Sequence, residues 1–263
     1  MILRNVKKFY TMCKSMYLAK VHGDKEAGFR VIERLAKLLV YPEYQFTDPT
    51  VGWWGNQKIQ TFSRRFCLVE SAMSLDRKFA LSQLMRLASA VEGDTAECGV
   101  YNGGSSYIML LSTIGSDKTH FLFDSYEGLS LPSENDGKYW KSGDLNFSEA
   151  NVLENLKEFS ERLVSYKGWI PDRFNEVAEK RFSFVHIDVD LYEPTLSSLD
   201  FFYARMNTGG VILIDDYGFD TCPGATEAVD KFHDLCPEKP EMLPSGGAFI
   251  LKGTATANDI WKE

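Results

Sequence analysis

Two apolar, strand-like segments of this 263-residue chain each end in clustered aspartates. FVHIDVD ends in Asp188 and Asp190, and VILIDD ends in Asp215 and Asp216. Repulsion between like charges and loss of hydration make such clusters costly, so we expect a bound cation to offset the cost. Neighbouring parallel strands lie about 4.8 Å apart, and carboxylates at their ends can converge at one edge of the sheet. Oxygen ligands of this kind suit Mg²⁺, and Asp188, Asp215 and Asp216 are the predicted ligands.

A simpler interpretation is that each aspartate caps the helix after its strand. That explains one aspartate well, but not four on two successive strand ends. Asp190 lies two residues beyond Asp188 and points to the same side if the strand pleat continues. We therefore name Asp190 as the candidate general base, while Asp188 could share or take that role. His186 is interpreted as a packed strand histidine rather than a catalyst.

A second constellation, ECGVYNGGSS, follows an earlier short strand. Its spacing is E-x-G-x-x-x-G and not the G-x-G-x-x-G typical of nicotinamide enzymes. Glycines allow a ligand to approach the backbone, and the helix that begins at Ser105 directs its positive end at a carboxylate group of such a ligand. The next strand ends at Asp124, which is well placed to accept hydrogen bonds from ribose hydroxyls. Together these residues predict a site for a nucleoside-type cofactor, although a glycine-rich turn alone is often only structural.

The pattern of elements predicts the scaffold for both constellations. Residues from about 26 to 91 have helical periodicity, and strands then alternate with helices, which include helices predicted over 149–159 and near 171–180. The closing segment EMLPSGGAFILKG is predicted to form a hairpin. This alternation indicates an α/β protein with a Rossmann-like, mostly parallel sheet and helices on both faces. We expect a helical N-terminal extension over 1–90 and a catalytic domain over 91–263. The loops 41–56 and 128–147 are candidate lids.

The motifs in order, ECGVYNGGSS, FDSYEGL, SYKGW, HIDVDLYEPT, GGVILIDDYG and CPGATEAVDKF, resemble the macrocin O-methyltransferase family over about 90–250. This is a family of class I S-adenosylmethionine-dependent sugar O-methyltransferases. The resemblance implies Mg²⁺ on Asp188, Asp215 and Asp216, an aspartate base, S-adenosylmethionine as the donor and a sugar hydroxyl as the acceptor. The residues expected to contact the donor are Glu97, Gly99, Val100, Tyr101, Gly103, Gly104, Ser105, Asp124, Ser125, Ser165 and Trp169.

Composition and charge indicate which kinds of partner and which cellular compartment the protein has. A net charge of −8 argues against general nucleic-acid binding, and five cysteines without metal-type spacing indicate free thiols in a reducing cytoplasm. Residues 1–40 hold nine Lys or Arg and three Asp or Glu, and the segment 1–20 has helical periodicity. We favour packing of this basic helix on its own domain or on a second subunit, in a homo-oligomer. Peripheral contact with an anionic membrane is the alternative.

Two rival functions remain open. The DVD sequence at 188–190 matches the D-x-D pattern of metal-dependent glycosyltransferases, which use nucleotide sugars. The Asp215–Asp216 pair and the E-x-G-x-x-x-G turn are not required by that chemistry. A catalytically silent binding module is disfavoured because the carboxylate set is intact.

Overall fold

The computed structural model describes residues 2–39, 52–66, 75–233 and 236–254. The chain divides into two compact units, 1–65 and 66–263. The division comes about 25 residues before the predicted boundary at 90, because the helix over 75–87 packs against the sheet domain.

The first unit is helical. Helices α1 (Ile2–His22) and α2 (Lys25–Leu39) pack against each other, and α3 (Gln57–Phe66) follows a 3-10 turn at Gly52–Gly55. Gly23, with a φ of 66°, ends α1, and the Asp24 side chain accepts a hydrogen bond from the Ala27 N–H, 3.0 Å away, to cap α2. Most of the predicted lid at 41–56 lies outside the described residues.

The second unit contains a seven-stranded sheet. Its strands are β1 (Asp94–Cys98), β2 (His120–Asp124), β3 (Leu163–Lys167), β4 (Phe182–Ile187), β5 (Met206–Ile214), β6 (Glu241–Met242) and β7 (Ala248–Leu251), in the spatial order β3-β2-β1-β4-β5-β7-β6. The first five strands of that order are parallel, and β7 pairs antiparallel with both β5 and β6. The predicted α/β sheet with a closing antiparallel hairpin is therefore confirmed.

Helices cover both faces of this sheet. They are α4 (Leu75–Leu87), α5 (Gly104–Ser112), α6 (Glu149–Asn155), α7 (Tyr192–Tyr203) and α8 (Pro223–His233). Strand β4 is fully buried, and its side chains alternate between two cores. Val185 and Ile187 pack in the core that contains residues of α7 and α8, whereas Phe184 packs with residues of α4 and α5. His186 has the same parity as Phe184, so it projects towards α4 and α5.

Two predicted helices are shorter in the structure. The helix predicted near 171–180 is only a 3-10 turn at Phe174–Val177, and the helix predicted over 149–159 ends at Asn155. A 3-10 segment at Lys157–Arg162 then leads into β3. Phe174 and Phe159 are buried in these turns, so tertiary packing determines the local conformation where the helical pattern is short.

Candidate active site

A cavity of about 610 Å³ opens at the carboxyl ends of the parallel strands. Its wall includes residues that follow β1, β2, β4 and β5, together with Arg77 and Lys78 at the start of α4. In sheets of this kind, ligands bind where the strand order reverses, which here is between β1 and β4. Residues of the glycine turn and the clustered aspartates therefore line one cavity.

The turn after β1 requires glycine at its first position. Gly99 has a φ of 79°, and a β-carbon there would lie 1.8 Å from the carbonyl oxygen of Asp188. This contact reflects the pairing of β1 with the end of β4, where the Asp188 N–H donates to the Cys98 carbonyl at 2.8 Å. The backbone of the turn thus lies directly against the strand end that carries the aspartates.

Asp124 orders the same turn from the end of β2. Its Oδ2 accepts hydrogen bonds from the N–H groups of Val100 at 2.6 Å and Tyr101 at 3.4 Å, and its Oδ1 accepts one from Tyr126 at 2.6 Å. Burial raises the pKa of Asp124, and these backbone donors oppose the rise. A carboxylate of this kind holds the glycine turn and faces the cavity at the same time.

The residues predicted to contact a cofactor fall into two sets. Seven line the cavity: Gly99, Val100, Tyr101, Ser105, Asp124, Ser125 and Trp169. Four lie outside its wall: Glu97, Gly103, Gly104 and Ser165. Gly103 and Gly104 form the start of α5, and Ser165 Oγ donates to Glu149 at 2.7 Å. These four remain predictions without support from the cavity geometry.

Glu97 instead belongs to a buried polar chain inside the sheet domain. The Glu97 carboxylate accepts a hydrogen bond from Ser106, and its Oε1 lies 2.8 Å from His186 Nδ1. The other ring nitrogen of His186 lies 3.5 Å from Asp215 Oδ1. Burial opposes protonation of His186, but Asp215 and Glu97 outweigh it and raise its pKa to about 9. A protonated histidine therefore balances charge between Glu97 and Asp215.

All four aspartates line the cavity. Potential ligand atoms of His186, Asp188 and Asp215 lie within 4.8 Å of one another, as do those of Asp190, Asp216 and Cys222. Of the three predicted metal ligands, Asp188 and Asp215 belong to the first group and Asp216 belongs to the second. Asp215 and Asp216 are consecutive, so their side chains leave the chain in different directions and join different partners.

The charges of the aspartates are unequal. Burial alone would raise the pKa of Asp215, but Lys78, His186 and Arg77 outweigh it and hold that pKa below its usual range. Burial, followed by repulsion from Asp190, raises the pKa of Asp216 well above the usual range. Burial and Asp188 raise the pKa of Asp190 to about 7. Negative charge is therefore compensated around Asp215 and under-compensated around Asp190 and Asp216.

Asp190 itself is held in an unusual conformation. Its φ is 60°, its N–H donates to Asp216 Oδ2 at 2.8 Å, and the Cys222 thiol lies 3.6 Å from its Oδ1. Non-glycine residues in this region are uncommon and occur often at functional sites. The surrounding contacts fix the Asp190 carboxylate at the cavity wall.

The predicted lid over 128–147 forms part of the wall through Gly128, Tyr139 and Trp140. Trp140 Nε1 donates to Cys222 Sγ at 3.3 Å, and Asp136 Oδ1 accepts from the Tyr192 N–H at 2.6 Å. The loop is therefore attached both to the aspartate cluster and to the start of α7. Its opening and closing remain a prediction.

Sequence reasoning missed Arg77, Lys78 and Cys222. Arg77 pairs with Asp215, and Lys78 Nζ lies 3.7 Å from Asp188 Oδ2. Basic residues in the first turn of an amphipathic helix resemble an ordinary solvated face, so the pattern carried no signal for them. A clue for Cys222 was its place immediately before Pro223, at the start of a helix that follows the second aspartate pair.

The glycine turn after β1, the acidic residue ending β2 and the β3-β2-β1-β4-β5-β7-β6 sheet define a class I methyltransferase fold. Solved structures with this fold include the O-methyltransferase NovP, with a TM-score of 0.57, 23% identity, and 70% of this chain and 82% of that chain covered. The calicheamicin methyltransferase CalS11 gives a TM-score of 0.62 at 17% identity, covering 80% of this chain and 95% of that one. At these identities the likeness establishes the fold alone.

The family model of the macrocin-O-methyltransferases (TylF) matches residues 76–238, and the chain belongs to this family of methyltransferases. It is similar to demethyldecarbamoylnovobiocin O-methyltransferase of Streptomyces niveus, with 28% identity over 159 residues, covering 56% of this chain and 60% of that protein. It is also similar to mycinamicin III 3''-O-methyltransferase of Micromonospora griseorubida, with 28% identity over 163 residues, covering 56% and 63%. The chain therefore spans about three fifths of the length of these curated relatives.

Proposed function

We propose that this protein transfers the methyl group of S-adenosylmethionine to a sugar hydroxyl of a glycosylated natural product or glycan, with Mg²⁺ at the aspartate cluster. The observation that carries the proposal is the shared cavity, which is lined by the glycine turn and Asp124 on one side and by four aspartates on the other. Methyl transfer needs a donor and an activated hydroxyl next to each other, and binding of the donor at the glycine turn and of the hydroxyl at the aspartates would meet that need.

For the donor, Asp124 would accept hydrogen bonds from the ribose hydroxyls, and the main chain of Gly99 and Val100 would lie against the cofactor. Ser125 and Trp169, at the ends of β2 and β3, would lie towards the adenine end. The cavity volume of about 610 Å³ falls within the range of small-molecule sites.

The aspartate cluster fits a divalent cation. Asp216 and Asp190 have raised pKa values because burial and neighbouring carboxylates disfavour their charge, and a cation would relieve both. Asp188, Asp215 and Asp216 would hold it, since hard oxygen ligands suit Mg²⁺. When bound, Mg²⁺ supplies the positive charge that lowers the pKa of an acceptor hydroxyl.

The chain's own residues would align the acceptor and remove its proton. Asp190, fixed by Asp216 and Cys222 at the cavity wall, would take that proton as the methyl group is attacked. Trp140 and Tyr139 would cover the acceptor and exclude water. Near-attack alignment of this kind supplies on the order of 7–11 kcal/mol of the barrier reduction.

A sugar acceptor is supported by the names of relatives. Mycinamicin III 3''-O-methyltransferase is one, and another is the 8-demethyl-8-(2,3-dimethoxy-alpha-L-rhamnosyl)-tetracenomycin-C 4'-O-methyltransferase of Streptomyces olivaceus, which is 30% identical over 154 residues. Membership of a methyltransferase family disfavours the glycosyltransferase interpretation of the DVD sequence. In a thermal-shift assay, S-adenosylhomocysteine with Mg²⁺ should therefore stabilise the protein, whereas UDP with Mg²⁺ should not.

The activity test uses radiolabelled S-adenosylmethionine and a panel of rhamnosylated and other glycosylated macrolides, polyketides and cell glycans. Label should enter a sugar fraction with Mg²⁺ and be lost with excess EDTA. Asp215→Ala should lose this turnover while it retains S-adenosylhomocysteine binding, and Asp200→Asn, on the exposed face of α7, is the matched control. Full activity of Asp215→Ala in EDTA would overturn the metal role.

Assembly and location remain expectations. Among the described helices, none combines the length and apolar character needed to cross a bilayer. Tyr10, Met16 and Tyr17 of α1 are exposed apolar side chains, which supports packing of this helix on a second copy. Light scattering should give a dimer or larger assembly, and binding of α1 to anionic vesicles would favour the membrane alternative.

A further inference from the structure

One buried lysine connects the two halves of the candidate site. The Lys78 side chain is 3% exposed and lines the cavity, together with Ser105 and Asp188. Lys78 Nζ lies 2.7 Å from Ser105 Oγ and 3.7 Å from Asp188 Oδ2. Ser105 is the second residue of α5, and Asp188 follows the end of β4. The ammonium group therefore lies between the glycine turn and the aspartate cluster.

This ammonium group has fewer partners than its burial requires. It carries three N–H donors, yet among the described residues it has one hydrogen bond, to Ser105, because 3.7 Å is an ion-pair distance beyond hydrogen-bond reach. A buried charge without good hydrogen bonds is expensive. A lysine side chain is ordinarily charged at neutral pH, and the Asp188 carboxylate 3.7 Å away favours that charge.

The surroundings of Lys78 favour an anion from the cavity as the missing partner. The first turn of α5 presents N–H groups and the positive end of the helix dipole next to the Ser105 hydroxyl. A carboxylate placed here would accept from Lys78, from Ser105 and from the helix start. Asp215 is already engaged by Arg77 and His186, and the Asp188 carboxylate lies 3.7 Å from the ammonium group, so neither aspartate supplies the missing hydrogen bonds.

We propose that Lys78 and Ser105 bind the carboxylate of the amino-acid part of S-adenosylmethionine, which rests on the function proposed above. With the ribose at Asp124 and the carboxylate at Lys78, the two ends of the donor are fixed, and its sulfur lies between them beside the aspartates. Lys78 is thus a donor-binding residue, and its charge makes the cavity selective for cofactors that carry a carboxylate.

Calorimetric titration tests this in EDTA, so that no cation contributes. The ligands are S-adenosylhomocysteine and its decarboxylated analogue, S-adenosyl-3-thiopropylamine. For the wild-type protein, removing the carboxylate should weaken binding about 10–100-fold, the usual value of a charge-assisted hydrogen bond. Lys78→Met should weaken S-adenosylhomocysteine by a similar factor and leave the analogue within about threefold. Lys118→Met is the matched control, because Lys118 donates to the carbonyls of Val91 and Gly93 near the opposite ends of the strands.

The outcomes separate this inference from the function on which it rests. Failure of the wild-type protein to bind S-adenosylhomocysteine would overturn the proposed function itself. Tight binding of both ligands without preference, or equal weakening of both by Lys78→Met, would overturn only the role of Lys78 and leave it as a counter-ion of Asp188. Should Lys78→Met fail to fold by circular dichroism, the double variant Lys78→Met/Asp188→Asn, which removes both charges, takes its place with the same expected pattern.

Discussion

Replacement of Gly99 by alanine tests whether the glycine turn and the aspartate cluster form one packed unit. A β-carbon at Gly99 would lie 1.8 Å from the Asp188 carbonyl oxygen, whereas ordinary contacts begin at 3.4 Å, so the two segments must separate by about 1.6 Å. That separation breaks the 2.8 Å hydrogen bond from the Asp188 N–H to the Cys98 carbonyl. Gly115→Ala is the matched control, because Gly115 has a φ of 83° and open space within 4 Å.

Both variants share the cost of a left-handed alanine, about 1–2 kcal/mol, which is partly offset by about 0.4–1 kcal/mol of lost freedom in the unfolded chain. Gly99→Ala adds about 1 kcal/mol for the lost hydrogen bond and about 1–2 kcal/mol for the displaced packing. We therefore expect Gly99→Ala to be about 2–3 kcal/mol less stable than Gly115→Ala. At roughly 2–4 °C per kcal/mol for a protein of this size, its Tm should be about 5–10 °C lower.

Urea unfolding at pH 7 and calorimetry measure these differences, and titration with S-adenosylhomocysteine measures the functional consequence. Binding should weaken in Gly99→Ala and stay at the wild-type value in Gly115→Ala. Equal stability of the two variants, within about 0.5 kcal/mol, would refute the close approach of the turn to Asp188.

Three further results are expected. Asp190→Asn should lower kcat about 10²–10⁴-fold in the methyl-transfer assay while S-adenosylhomocysteine binding is unchanged, and retained kcat would remove Asp190 as the base. His186→Ala should lose about 3–5 kcal/mol in urea unfolding, because Glu97 and Asp215 lose a buried cationic partner, and a loss below about 1 kcal/mol would contradict that pairing. Burial lowers the pKa of His120 to about 4, below its unfolded value near 6.5. The unfolded state therefore binds a proton more readily, and the stability that neutral His120 provides above pH 6.5 is lost as the pH falls towards 4. Acidification from pH 6.5 to 5 should therefore cost about 1.6 kcal/mol at this residue, and His120→Gln should show a correspondingly shallower decline in urea midpoint.

The strand ends carried most of the sequence information about the site. Asp188 and Asp215 could be placed together because successive apolar segments imply parallel strands whose carboxyl ends share one edge. Asp124 followed from the same reasoning at the end of β2, two strands earlier in the chain than Asp188. These inferences depend on local periodicity and on the general behaviour of α/β sheets, and both are readable from a single sequence.

Other features depended on contacts between distant parts of the chain. Arg77 and Asp215 are 138 residues apart, and their pairing requires the packing of α4 at the sheet edge. His186 is buried, as its interpretation as a packed strand histidine implies, but only the structure places its two nitrogens at Glu97 and Asp215. Glu97 belongs to this buried chain rather than to the cavity wall. The sequence could not predict this, because the alternation along a short strand does not reveal which face of the sheet carries the buried polar groups.

A crystal of the protein grown with S-adenosylhomocysteine and with Mn²⁺, as a substitute for Mg²⁺, tests whether the donor and the metal share the cavity. We expect an anomalous peak coordinated by carboxylate oxygens of Asp188, Asp215 and Asp216, with the nucleoside in the same cavity and its ribose at Asp124. Well-defined S-adenosylhomocysteine without a manganese peak at these carboxylates, or a nucleoside bound away from the glycine turn, would contradict it.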